Sequence, residues 1–127
     1  MRSKLEKNME NFNKSQLDLW NELNENNTLQ EIQKYIKEVI KIRGFYNQDI
    51  EKTMLLLIEE VGELAKSIRK NATNMAVDLE KNNHYDTIES EVADVFIVLS
   101  SVCNKLNIDM YKAIKDKEKD NIKRIWK

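Results

Sequence analysis

Proline is absent from this chain, glycine occurs twice, and there is a single cysteine. Each shortage excludes something. With so few residues that break helices or build tight turns, a strand-and-turn architecture is disfavoured. A lone cysteine, Cys103, cannot form an intrachain disulfide and suits a reducing cytoplasm. Long apolar runs are missing too. "MLLLI" (54–58) and "VFIVL" (95–99) fall far short of the ~20 residues that span a bilayer. The opening stretch "MRSKLEKNMENF" carries charge at every turn and lacks the apolar block of a secretory signal. Net charge is −1 at pH 7, so no basic field advertises nucleic acid or anionic membrane. The expectation is a cytoplasmic protein with neither nucleic acid nor membrane as partner.

What is present reads as helix. The 127 residues, 41% hydrophobic and 34% charged, suit one folded domain with a core. Residues 3–24 carry Leu5, Met9, Phe12, Leu19 and Leu23 at three- and four-residue spacing, with Gln16 the polar exception. That pattern predicts an amphipathic helix for docking or dimer packing. Thr28 and Glu31 form a capping box, opening a helix whose inner face is Leu29, Ile32, Ile36, Val39 and Ile40. Gly44 suits the left-handed residue after its end.

A third helix is predicted from about Asp49 to Lys70, with Met54, Leu57, Ile58, Val61, Leu64, Ala65 and Ile68 as its main stripe. Leu56 lies off that stripe, so a second face is expected to be covered. Residues 71–86 read as a polar connector with one short helix around Met75 to Leu79. Asp86 and Glu89 suggest another cap, and a helix to about Leu106 with Ile88, Val92, Val95, Leu99, Val102 and Leu106 inward. "NID" (107–109) turns the chain into a last helix from Met110 towards Trp126. The expected fold is all-α: a four-helix-bundle-like core over residues 28–127 and an extra N-terminal amphipathic helix over 1–27.

Two apolar helices carry acids in their middles. In "LLLIEEVGELAKSI" (55–68) Glu60 and Glu63 are three residues apart, and in "ESEVADVFIVLSSV" (89–102) so are Glu91 and Asp94. Residues at i and i+3 are separated by about 60° around a helix, so each pair projects in one direction. Antiparallel packing of the two helices would bring four carboxylates to one half-buried place. Four anions there would repel and would each lose hydration worth several kcal/mol. Protonation would neutralise them; a hard divalent cation is the simpler solution, and oxygen-only ligands select Mg²⁺ or Mn²⁺ over Zn²⁺. The plain alternative is a set of surface acids paired with lysines such as Lys66 and Lys70.

Other chemistries find little support. A diiron carboxylate bundle needs a Glu-x-x-His pair on each of two helices, and the only histidine is His84, in the connector. Cys103 reads as a small core residue. No glycine-rich phosphate loop occurs. The last helix, however, carries Met110, Ile114, Lys117, Asn121 and Arg124 along one stripe. That stripe turns from apolar to cationic, as a surface facing phosphate oxygens would. Mg²⁺ beside a polyphosphate is what nucleotide chemistry requires, because the metal offsets phosphate charge.

The order "EEVGE" (59–63), "EVAD" (91–94) and "KEKDNIKR" (117–124), with "RGF" (43–45) ahead, resembles the MazG-like all-α nucleotide pyrophosphohydrolases. The resemblance covers roughly residues 29–127. It implies that Glu60, Glu63, Glu91 and Asp94 are Mg²⁺ ligands, with Mn²⁺ a substitute, and that Glu59 supports catalysis by orienting a ligand or water. It implies that Lys117, Asn121 and Arg124 hold phosphates, with Phe45 a candidate base-stacking residue beside Tyr46 and Trp20. The implied activity is hydrolysis of nucleoside triphosphates, ribo- or deoxyribo-, to monophosphate and pyrophosphate for house-cleaning or pool control. Water is the implied nucleophile, deprotonated with help from a nearby carboxylate. The resemblance also implies a homodimer or homotetramer. Two alternatives stay open: a phosphoribosyl-ATP pyrophosphohydrolase, and a non-catalytic helical interaction module.

Overall fold

The computed structural model of the chain describes residues 3–78 and 87–127, and every described element is helical. Leu79, His84, Asp86 and the Phe12 side chain, all weighed above, lie outside the described residues. The helices are α1 (Lys4–Glu22), α2 (Leu29–Ile42), α3 (Ile50–Ala72), α4 (Ile88–Lys105) and α5 (Met110–Asn121). Their starts follow local side-chain chemistry. The Thr28–Glu31 capping box opens α2, and a second one, Ser3–Glu6, opens α1. The carboxylates of Asp49 and Asp109 accept from the N–H groups of Lys52 and Lys112, capping α3 and α5. Two expectations are corrected here. Residues 74–78 adopt no regular structure, so no helix begins at Met75. And α5 ends at Asn121, leaving Arg124 and Trp126 beyond it, because Ile122 to Arg124 close as turns.

Two helices end by the same device. Phe45 N–H donates to Ile40 O (3.0 Å) and Gly44 N–H to Lys41 O (3.1 Å), with Gly44 at φ +85°. After α4, Ile108 N–H donates to Cys103 O (2.8 Å) and Asn107 N–H to Asn104 O (3.4 Å), with Asn107 at φ +56°. Both are the paired 6→1 and 5→2 closures of a left-handed helix end. Gly44 occupies the left-handed position that its sequence context predicts. There a side chain is strained whatever the space around it. Gly44→Ala is therefore expected to destabilise the fold by about 1–2 kcal/mol, as urea unfolding monitored by circular dichroism would show.

The chain divides into two compact units, Met1–Asn47 with Cys103–Lys127, and Gln48–Val102. In the first, α2 packs against both α1 and α5. Ile36, Val39 and Met110 are buried there. At the C-terminal half of α1, Leu19, Leu23 and Gln16 are half-buried. Gln16, polar on an apolar stripe, accepts from Arg43 Nε at 2.8 Å. Leu5 and Met9, further up the same stripe, are exposed.

A buried amide organises the rest of this unit. Gln33 Nε2 donates to Asn104 Oδ1 (3.0 Å) and Ile108 O (2.6 Å), and its Oε1 accepts from Met110 N–H (3.1 Å). Asn104 Nδ2 returns a bond to Gln33 O at 3.1 Å. One side chain of α2 thus ties down the turn that launches α5.

The second unit corrects the sequence stripes. On α3 the sheltered line is Thr53, Leu57, Glu60, Leu64 and Ser67, at steps of four, three, four and three. Met54, Ile58, Val61, Ala65 and Ile68, expected inward, are exposed, as is Leu56. On α4 the sheltered positions include Glu91, Asp94, Val95, Phe96, Ile97, Val98, Ser100, Ser101 and Val102, while Val92 and Leu99 are exposed. Leu57, Leu64, Ile88, Val95 and Val102 are sheltered as expected, but they share the inward face with small and polar residues, and half or more of each expected stripe is exposed. Leu106, which the sequence also places inward, is exposed beyond the end of α4.

Candidate metal centre

Glu60 does not flank the sheltered line of α3; it sits on it, between Leu57 and Leu64. Glu91 and Asp94 hold the corresponding place on α4. One carboxylate oxygen from each of Glu60, Glu91 and Asp94 lies within 4.8 Å of the others. Glu91 is the most enclosed of the three, only 7% exposed.

The electrostatics of the cluster follow from that placement. Burial raises the proton affinity of Glu60 above the usual carboxylate range. The charges of Asp94 and Glu91, and then of Glu59 and Glu63, push it further the same way. Carboxylates crowded in partial shelter are costly unless a cation joins them. Three oxygens that lie within 4.8 Å of one another could be drawn onto one hard divalent ion, which carboxylates bind at ~2.0–2.6 Å. Oxygen donors alone disfavour the soft metals. The donor set fits a divalent cation.

A raised affinity in the folded state also fixes a pH dependence. Glu60 is neutral in both states well below its ordinary value of 4.5, and its contribution to stability is complete there. That contribution is lost as pH rises through the folded-state value. In EDTA at neutral pH, Glu60→Gln is therefore expected to melt at a higher temperature than the wild type. At about pH 3.5 the two should coincide. Calorimetry at both pH values checks this, and a lower melting temperature at neutral pH would count against the repulsion.

The other site residues read from the sequence fall as follows. Glu63, one turn after Glu60, is exposed and is not among the three oxygens that meet. Glu59 is exposed beside Glu60. Lys117 and Arg124 are exposed in the unit that holds α5. Asn121 is half-buried and donates to Glu118 Oε1 at 3.2 Å. The guanidinium of Arg124 lies 4.8 Å from the Trp126 ring centroid. Phe45 is exposed at the end of α2, and Trp20 is exposed on α1. Burial pushes the Cys103 thiol up, which suits an inert side chain rather than a nucleophile.

One set of cationic contacts went unread in the sequence. The ammonium groups of Lys37, Lys41 and Lys105 each lie within 5.9 Å of the Tyr46 ring centroid, and only Lys37 and Lys41, one turn apart on α2, gave any local signal.

Among known families, the MazG nucleotide pyrophosphohydrolase domain matches residues 48–125, more than half of the chain. The matched span holds Glu60, Glu63, Glu91 and Asp94 with Lys117, Asn121 and Arg124, and leaves out α1, α2 and Phe45. No curated protein matches the chain.

Proposed function

Since the chain belongs to the MazG nucleotide pyrophosphohydrolase family, we propose that it hydrolyses nucleoside triphosphates to the monophosphate and pyrophosphate with Mg²⁺. Nucleotide pyrophosphohydrolase activity follows from that membership, which sets aside the non-catalytic interaction module. The observation that carries the finer reading is the meeting of Glu60, Glu91 and Asp94 within 4.8 Å. These three carboxylates would hold the ion, with Glu63 one turn away to complete or adjust its shell. When bound, Mg²⁺ would offset the charge of the phosphates and polarise the phosphoric anhydride under attack.

The remaining steps fall to the chain's own groups. Lys117, Asn121 and Arg124 would bind phosphate oxygens, Lys as a point charge and Arg through its planar fork. Glu59 would orient the attacking water, and a carboxylate of the acidic group would take its proton. The anhydride bond between the α- and β-phosphates breaks, the water oxygen joins phosphorus, and pyrophosphate leaves. Phe45 is a candidate to stack on the base, since its ring is exposed beside the closed turn that ends α2.

The protein is also proposed to act as a homo-oligomer, a dimer or tetramer, in the cytoplasm. Support comes from the outward faces of α3 and α4. Leu55 and Ile58 are 66% and 63% exposed, and Val61, Val92 and Leu99 are exposed near the acids. Large apolar side chains exposed in this number normally meet a partner. No described helix is long and apolar enough to cross a membrane.

The test is phosphate release from ribo- and deoxynucleoside triphosphates with Mg²⁺, with and without added inorganic pyrophosphatase. Signal only with the pyrophosphatase is expected, because the direct product is pyrophosphate. Phosphate without it would overturn the cleavage position. Silence across the triphosphates, with turnover of phosphoribosyl-ATP, would replace the substrate.

A further inference from the structure

We propose that Gln30 and Gln33 of α2 are positioning residues: they set the direction of α5 and so place Lys117 and Asn121 for the phosphates, an inference that rests on the phosphate-binding role proposed above for that stripe. The helix has little else to hold it. It packs against α2, Met110 is its one buried residue, and every residue from Tyr111 to Asp120 is exposed. Its first turn, however, is gripped twice from α2. Gln33 takes the backbone: its Oε1 accepts from Met110 N–H (3.1 Å), while its Nε2 donates to Ile108 O (2.6 Å) and Asn104 Oδ1 (3.0 Å). Gln30, three residues earlier and on the same side of α2, takes the capping side chain, its Nε2 donating to Asp109 Oδ2 (2.7 Å). Gln33 is only 7% exposed. It uses both of its N–H donors and an acceptor site, a set that only a carboxamide supplies among side chains of this length.

Local chemistry already completes both helix ends without these two side chains. Asn107 closes α4 in the left-handed conformation, and Asp109 Oδ1 caps α5 by accepting from Lys112 N–H at 3.0 Å. Such closures satisfy each end but leave the angle between α2 and α5 open, and the two glutamine anchors fix it. The angle matters because α5 is a lever held at its first turn. Lys117 and Asn121 follow Met110 by seven and eleven residues, about 10 and 16 Å along the helix axis. A tilt of about 10° at the first turn would carry them about 2 and 3 Å sideways. Misplacement of a binding group by about 1 Å can cost about 100-fold in rate. Gln30 and Gln33 lie outside the matched span 48–125, so family membership does not imply this role.

The experiment joins orientation to turnover in the full chain. Residual dipolar couplings of the α2 and α5 amides report the angle between the helices. Steady-state kinetics with Mg²⁺ and the best substrate among the ribo- and deoxynucleoside triphosphates above report its use. Gln33→Leu and the milder Gln30→Ala are both measured, so that Gln30→Ala decides if Gln33→Leu fails to fold. Each is expected to turn α5 against α2 and to lower kcat/KM, Gln30→Ala by about three- to ten-fold. Because Gln30→Ala costs little stability, a merely structural role would leave its turnover intact. In a Lys117→Gln background Gln30→Ala should cost less than in the wild type, since one group it would misplace is already gone. An α5 that keeps its angle in Gln30→Ala, undiminished kcat/KM with α5 turned, or an equal fold-loss in both backgrounds would overturn the role. Lys117→Gln by itself tests the phosphate reading: no loss there would sink that reading, while the couplings still decide whether the glutamines direct α5.

Discussion

Glu60→Gln is expected to abolish nucleotide turnover, by at least about 100-fold, while the helices remain folded. The reasoning rests on where the carboxylate stands. It shares a small volume with Glu91 and Asp94, and an amide of the same shape offers a neutral carbonyl oxygen where a hard cation gains most from a charged one. Loss of groups that merely orient metal ligands already lowers metal affinity or activity about 10- to 100-fold, and a direct ligand should exceed that. Asp94→Asn should behave alike, and Glu63→Gln should lose less, because its carboxylate stands outside the trio. The paired readouts are steady-state turnover and the rise in melting temperature on adding Mg²⁺. Wild-type turnover persisting in Glu60→Gln or Asp94→Asn would remove the metal assignment.

Among predictions of stability the largest concerns Gln33→Leu, a swap of nearly equal volume. It strips Met110 N–H, Ile108 O and Asn104 Oδ1 of their bonds to the Gln33 amide. Gln33 and Met110 are each only 7% exposed, so water cannot readily replace the bond between them. Each polar group stranded in this way costs about 1–3 kcal/mol, and the sum should reach about 3–5 kcal/mol. Gln30→Ala is the control. Its Nε2 bond to Asp109 Oδ2 (2.7 Å) is exposed, and its loss should cost under about 1 kcal/mol. Urea denaturation separates the two, and a Gln33→Leu variant as stable as Gln30→Ala would refute the account.

How much of this was legible in the sequence depends on the range over which each cause acts. Helix starts are local: the Thr28–Glu31 capping box announces α2 and forms, and Asp49, where the third helix was expected to begin, caps α3. Gly44 announces its left-handed turn because few other residues tolerate one. Asn107 plays the same part after α4 but is less diagnostic as a residue type. The acids of the candidate site were legible because charge inside an apolar helix conflicts with burial.

The sheltered face of α2 was legible, since Leu29, Ile32, Ile36, Val39 and Ile40 all lie inward, but that of α3 and α4 was legible only in part. Hydrophobicity marks side chains that leave water but not what covers them. Met54, Ile58, Val61, Val92 and Leu99 read as core and stand outward, whereas Thr53, Ser67 and Ser100 are buried. Gln33 gave no signal at all, because its partners lie more than seventy positions away.

The two left-handed helix ends carry a consequence for motion. The segments around Phe45 and Ile108 are polar-flanked, short and free of regular structure, features that ordinarily mark flexible loops. Yet their amide hydrogens are held by Ile40 O and Cys103 O within closed rings. Deuterium should therefore replace them slowly, in step with the adjoining helical turns and not with the chain ends. Phe45 and Tyr46 would then be displayed from a stiff elbow, and a ligand meeting them would find the backbone already ordered.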